Sequence, residues 1–274
     1  MLKLLAPLAG ATVRIPPSGE APSIACVTDG TGAHVWTWGF AGKVGGEVTT
    51  TSQRWDAKTV IAGRGGSLTV SVTAHSGGSA SASVEVRGSN PSSSDVDAYC
   101  AASSGADGFA RIIAQESRYL HFDLGGTPIR SFDGGVGMCQ LTTPVATLAQ
   151  TWDWRANVDA GLTLFREKRQ TAIAHLSQAG RAYTGDQLRR ETVCLWNGGF
   201  YHVWNTNRAA WERPANIQCD VRTGNIGWDM TSAQNDGKTS AQLRARDMAT
   251  YRSGKGRGLW HYYGVCYADH VLGA

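Results

Sequence analysis

"FARIIAQESRYLHF" (Phe109–Phe122) is where the chain changes period. Phe109, Ile112 and Ile113 stand at i, i+3 and i+4, which places them on one face of a helix. The next position on that stripe, i+7, is Glu116, a carboxylate on the apolar side. Upstream of this stretch the helical spacing is missing. "SLTVSVTA" (Ser67–Ala74) and "SASVEVRG" (Ser81–Gly88) alternate instead, with Leu68, Val70 and Val72 on one face and Val84 and Val86 on another. That is strand spacing, and "HSGGSA" (His75–Ala80) between the two runs is turn chemistry, so together they read as a hairpin.

"VWTWGF" (Val35–Phe40) and "ATVRIPP" (Ala11–Pro17) read as further short strands. Short strands with Gly/Pro turns over residues 1–88 predict an all-β, immunoglobulin-like sandwich. The Cys-Trp-Cys framework of antibody domains is missing, and no catalytic constellation appears, so this part reads as a docking or targeting module. "RGSNPSSSD" (Arg87–Asp95) has linker composition and sets a linker at 89–97.

Residues 98–274 read as mainly α. A helix is expected over Ala106–Tyr119. A second follows Thr143, an N-cap with Pro144 at the first helical position. A third is expected over Ala156–Gly180. A fourth opens with a capping box, Thr184 to Gln187, and stops at Gly198-Gly199. "SAQLRARDMATY" (Ser240–Tyr251) is a further helix.

The chain has 274 residues, enough for two domains, and its 42% hydrophobic and 18% charged residues are those of a soluble globular protein. The net charge of +4 is too small to select an anionic partner, and no basic run or nucleic-acid motif stands out. No stretch is long enough to span a membrane, and "MLKLLAPLAGATV" reads as mature structure rather than a cleaved signal. The six cysteines form no CxxC or zinc spacing. Cys139 and Cys194 read as buried thiols, and Cys219 with Cys266 is the candidate disulfide.

Several motifs fail. "NDGKTS" (Asn235–Ser240) ends like a phosphate loop, but Ser232 stands where its first glycine should be. "GKGRG" (Gly254–Gly258) is not a dinucleotide fingerprint. The seven His include no HExxH pair, so no metal or cofactor is implied. A Cys–His nucleophile drawn from Cys100 and His202, His261 or His270 has no visible activating group.

Glu116 carries two readings. Desolvation on the apolar stripe raises a carboxyl's pKa, which makes a proton donor suited to glycosidic cleavage. Alternatively the helix ends there and the side chain reaches water or pairs with Arg118 or Arg130.

The surrounding order is informative. Glu116-Ser117 is followed by Gly137-Met138-Cys139-Gln140, then Asn157-Val158-Asp159-Ala160-Gly161, then Leu195-Trp196-Asn197-Gly198-Gly199. This set resembles the lysozyme-like lytic transglycosylases, the soluble-transglycosylase superfamily near goose-type lysozyme. The resemblance covers about a third of the chain. It implies a lysozyme-like fold for 98–274 and Glu116 as the single catalytic acid and then base. Ser117 would support it or the substrate acetamido group. Gln140 and Asn197 would hydrogen-bond sugar from opposite walls, although a cap role for each stays open. Trp196 stands where the family has Tyr, offering an N–H and a stacking face instead of a hydroxyl. Met138-Cys139 would begin a buried helix. A hydrolytic muramidase would also need a carboxylate to position water, and Asp133 is the first candidate. The aromatic residues after Gly199 read either as a far groove wall or as packing.

The expected function is cleavage of the bond between N-acetylmuramic acid and N-acetylglucosamine in peptidoglycan. With no recognisable signal, the reading is an antibacterial effector of the type VI kind or a phage-borne wall enzyme, acting in the target's periplasm. Expected partners are glycan strands, an immunity protein and a secretion-machine or phage-particle component. The alternative is a non-catalytic glycan-binding protein of the same shape.

Overall fold

The computed structural model describes residues 1–41, 43–220, 222–252 and 258–273. In chain order the elements are β1 (Leu4–Ala6), β2 (Thr12–Ile15), β3 (Ala25–Thr28), β4 (His34–Phe40), β5 (Lys43–Thr50), β6 (Arg54–Asp56), β7 (Gly66–Ala74), β8 (Ser79–Gly88), α1 (Ser93–Ala101), α2 (Phe109–Ser117), α3 (Leu148–Trp152), α4 (Trp154–Leu176), α5 (Gly185–Asn197), β9 (Val203–Asn205), β10 (Ala210–Glu212), β11 (Ile217–Cys219), β12 (Ile226–Asp229), α6 (Ser240–Arg252), β13 (His261–Tyr262) and α7 (Gly264–Leu272). Helix takes 33% and strand 25%, so the chain is a multi-element fold of both kinds.

Alternation builds the first sheet. Leu68, Val70 and Val72 of β7 are buried, and Leu68 pairs with Val84 across the expected hairpin. The sheet order is β2-β8-β7-β4-β5, with β2 parallel to β8. A second sheet has the order β1-β3-β6. Cys26 of β3 and Trp36 of β4 share one apolar core, which joins the two sheets. Phe122 and Trp152, from far downstream, belong to that same core.

Contacts therefore gather the chain into two compact units that are not sequential halves. The first is Met1–Ala98 with Glu116–Gly161; the second is Tyr99–Gln115 with Leu162–Ala274. In the first unit, Gly88 and Gly65 are places where only glycine fits. A Cβ on Gly88 would stand 2.2 Å from the Phe122 ring, and one on Gly65 2.2 Å from the Trp152 ring. Burying each of these aromatic rings contributes about 1.5–3 kcal/mol.

The expected linker at 89–97 is structured. Ser92 caps α1: its hydroxyl accepts from the Asp95 N–H, and the Asp95 carboxylate accepts from the Ser92 hydroxyl at 2.7 Å. Asn90 Oδ1 accepts from the His121 and Phe122 N–H groups, and its Nδ2 donates to the Phe122 carbonyl. The Ser/Asn content that reads as linker is here capping and clamping chemistry.

The helix expected from Ala106 begins at Phe109, the one expected from Ala156 begins at Trp154, and one expected cap is corrected. Thr143 is not a cap; Thr147 is, with reciprocal bonds to Gln150. The Thr184–Gln187 box stands as expected. α2 stops at Ser117 because Arg118 and Tyr119 both take positive φ, 55° and 64°.

In the second unit, α4 buries Leu162, Phe165, Ala172 and Leu176, and α5 buries Val193, Cys194 and Leu195. α7 begins against the end of α5, so closely that a Cβ on Gly264 would stand 2.1 Å from the Gly198 carbonyl oxygen. β9 and β10 form a hairpin, and β11-β12-β13 form a sheet. Cys219 and Cys266 are joined, linking β11 to α7, and Cys26, Cys100, Cys139 and Cys194 are buried free thiols. No helix of the described residues is long and apolar enough to cross a membrane. The "GKGRG" glycines, apart from Gly258, lie outside the described residues.

The disulfide spans 47 residues of chain. Closing a loop of that length stabilises by about 4 kcal/mol. Thiol titration of the denatured protein should give four free thiols, and six after reduction. Six in both samples would contradict the pairing.

Candidate functional site

Glu116 and Ser117 form the last turn of α2. Phe109, Ile112 and Ile113 on the same stripe are fully buried, Glu116 is half-buried, and Ser117 is buried. The carboxylate thus sits at the C-terminal end of the apolar stripe, beside buried Ser117.

The chain then leads to His121, which holds the next segment. Gly137–Gln140 is the loop of a tight hairpin, since Val136 and Leu141 exchange both backbone hydrogen bonds at 3.1 Å. The expectation that Met138-Cys139 begins a helix is therefore corrected. Gly137 and Gln140 both have positive φ, 71° and 50°, which bends the backbone out of any helix. Met138 and Cys139 are nevertheless buried. A buried loop must find partners for its backbone, and two side chains provide them. The Met138 N–H donates to His121 Nδ1 at 3.1 Å, while His121 Nε2 donates to the Thr151 carbonyl at 3.0 Å. The Cys139 N–H donates to Asn157 Oδ1 at 2.9 Å. Asn157 Nδ2 donates to the Val136 and Gln150 carbonyls, each at 3.1 Å. Gly137 must be glycine for a second reason: a Cβ there would stand 2.5 Å from the His121 ring.

Gln140 closes its own loop, Nε2 donating to the Gly137 carbonyl at 2.7 Å. Among the described residues its Oε1 and second N–H make no hydrogen bond. Asp133 lies on the adjacent turn. Ser131 donates to it, and this hydrogen bond holds the exposed carboxyl below the usual carboxylate range. Gly135 separates these groups. A Cβ on it would meet Ser131 Oγ at 2.6 Å and Gln140 Oε1 at 3.2 Å. The fold thus brings Asp133 and Gln140 to one small region.

Trp196 and Asn197 end α5 in the second unit. Trp196 is half-buried and sets its ring edge-on to Phe109 at 5.6 Å. Asn197 is exposed, and the cap position itself is Gly198, whose N–H returns to the Cys194 carbonyl. Nearly two turns earlier stands Glu191, which the sequence reading missed. It is fully buried and accepts from the Tyr201 N–H, the His202 N–H and His202 Nδ1, the last at 2.7 Å. His175 Nε2 donates to the His202 carbonyl at 3.0 Å. The cluster fastens the chain after Gly198-Gly199 back onto α5. Its sequence signal is a Glu inside the otherwise buried run Glu191–Leu195. The aromatics beyond Gly199 divide. Tyr201, Trp211, Trp228 and Trp260 are packing, while Phe200 and Tyr262 are about half exposed.

Among the described residues no group of three or more His, Cys, Asp or Glu could hold a metal ion. In comparisons with known proteins, no family model and no curated protein matches the chain.

Two measurements test the loop clamp. Asn157→Ala strands the Cys139 N–H and two carbonyls. A buried group left unsatisfied costs about 1–3 kcal/mol, so denaturant unfolding should show a loss of roughly 3 kcal/mol or more; a loss under about 1 kcal/mol contradicts the clamp. Burial pushes the His121 imidazole from 6.5 down to about 4. Between those values the unfolded chain binds a proton that the folded chain refuses. Stability should fall as pH drops through that window, by about 3 kcal/mol in full. His121→Gln should flatten the profile there, and an unchanged slope would exclude His121 as the cause.

Proposed function

We propose that the protein is a peptidoglycan lytic transglycosylase with Glu116 as its single acid/base. Glu116 protonates the oxygen leaving from the bond between N-acetylmuramic acid and N-acetylglucosamine. Its carboxylate then takes the proton of the muramic 6-hydroxyl as that oxygen attacks the anomeric carbon, leaving a 1,6-anhydro end. Ser117 and Gln140 contact the substrate or support Glu116, and Trp196 and Asn197 supply a stacking face and an amide to the sugars.

The observation that carries this reading is the direct bonding of two of the four ordered segments, Gly137–Gln140 and Asn157–Gly161. Asn157 of "NVDAG" and His121, five residues past Glu116, hold the Gly137–Gln140 loop through buried hydrogen bonds. Residues that resemble a family's motifs at separate places in the sequence act here on one another.

In this reading the two N-terminal sheets are an immunoglobulin-like docking module and the helical part is lysozyme-like. The protein works as an antibacterial effector or phage-borne enzyme in the wall of a target cell, with an immunity protein as its inhibitor. A hydrolytic variant of the mechanism is favoured by one observation: Asp133 is held ionised beside Gln140, as a residue that positions water would be.

Purified sacculi incubated with wild type and with Glu116→Gln test the proposal. Release of soluble fragments should fall by about 10²–10⁴-fold in the variant. Wild-type release from a folded Glu116→Gln protein would refute it, and no release by either protein would favour a glycan-binding role.

A further inference from the structure

The last helix, α7, fastens both helices that carry candidate site residues. At its C-terminal end the Leu272 carbonyl accepts from Arg111 Nη1 at 3.0 Å, and the Gly273 carbonyl accepts from Arg190 Nη2 at 3.0 Å. Arg111 belongs to α2, whose last turn carries Glu116, and Arg190 to α5, which ends in Trp196 and Asn197. Guanidinium groups on the last carbonyls of a helix also meet the negative end of its dipole. At its N-terminal end α7 abuts the end of α5. A Cβ on Gly264 would stand 2.1 Å from the Gly198 carbonyl oxygen and 2.6 Å from that of Cys194. Between the two ends, Asp269 accepts from the Tyr201 hydroxyl at 2.6 Å, which holds the segment just past Gly198-Gly199.

α7 is itself secured by the Cys219–Cys266 disulfide, which joins it to β11. The bond can be approached. Both cysteines line a cavity of about 610 Å³, and Cys219 is half-buried while the other five cysteines are buried. Arg213 Nη2 donates to Cys219 Sγ at 3.1 Å, and a guanidinium in that place stabilises a thiolate released there.

We propose that this disulfide is a redox switch for the candidate site. Oxidised, it seats α7 and so holds the ends of α2 and α5; reduced, it lets those ends loosen while the rest of the chain stays folded. A dithiol reductant supplies the electrons. Its thiolate attacks Cys219 Sγ, and Cys266 leaves as a thiolate and takes up a proton. The reductant's second thiolate then displaces Cys219 Sγ beside Arg213. The reductant departs as a cyclic disulfide, and both cysteines become thiols. The consequence for the cell rests on the function proposed above: the enzyme would be slack in a thiol-rich cytosol and set in the oxidising space around the wall.

Hydrogen exchange of the full chain, read by mass spectrometry with and without dithiothreitol, tests the switch. On reduction the amides of residues 109–117, 191–200 and 264–272 should exchange at least about tenfold faster, while β7 and β8 keep their protection. Reoxidation should restore the slow exchange. The Cys219→Ser/Cys266→Ser double variant should exchange like the reduced protein and ignore dithiothreitol; if it does not fold, the reduced wild type still decides. Unchanged exchange in those segments, or protection lost throughout the chain, would overturn the proposal. Release from sacculi, measured on the same samples, should fall at least about tenfold on reduction and return on reoxidation, since slight misplacement of a catalytic group is that costly. Equal release in both states would overturn the switch as well. No release in either state, with the local exchange response intact, would refute only the proposed activity.

Discussion

The Asn157 carboxamide is the constraint on which the first unit's candidate site depends. It is fully buried and meets three backbone groups: the Cys139 N–H and the Val136 and Gln150 carbonyls. Only a side chain with both a donor and an acceptor end can do this. Loops ordinarily run over the surface, where water satisfies their backbone. The Gly137–Gln140 loop is instead packed inward, and its partners must come from the protein. With Asn157 on one side and neutral His121 on the other, Gln140 is held at the loop's end with part of its amide unspent. A second buried polar anchor, Glu191, does comparable work on the segment that follows α5.

The same economy explains why the compact units are not halves of the sequence. Residues 116–161 complete the core of the two N-terminal sheets with Phe122 and Trp152, which lie where Gly88 and Gly65 leave space. Asn90 then fastens the backbone at His121–Phe122. The sheets and the segment that follows Glu116 are one packing problem, and a substitution in either is felt in the other.

Local rules carried the sequence reading where local physics decides. Alternation at Leu68, Val70 and Val72 marked the β7–β8 hairpin, the Thr184–Gln187 box marked the start of α5, and the i+7 position of Glu116 marked the one carboxylate on α2's apolar stripe. Composition misled at 89–97, because Ser and Asn serve linkers, caps and clamps alike; the Ser92–Asp95 spacing was the legible clue. Thr143-Pro144 was a plausible start that lost to the reciprocal bonds of Thr147 and Gln150. Met138-Cys139 read as helix because buried apolar residues carry no period over two positions. Glu191's role depends on Tyr201 and His202 folding back, a tertiary event that no local pattern encodes.

The central claim is that the chain cuts glycan strands by intramolecular attack through one carboxyl group. The measurement that bears on it most directly is mass spectrometry of the ends of fragments released from purified sacculi by the wild-type protein. The account predicts products lighter by one water with 1,6-anhydro ends. Reducing ends in their place would contradict it and turn attention to hydrolysis assisted by Asp133.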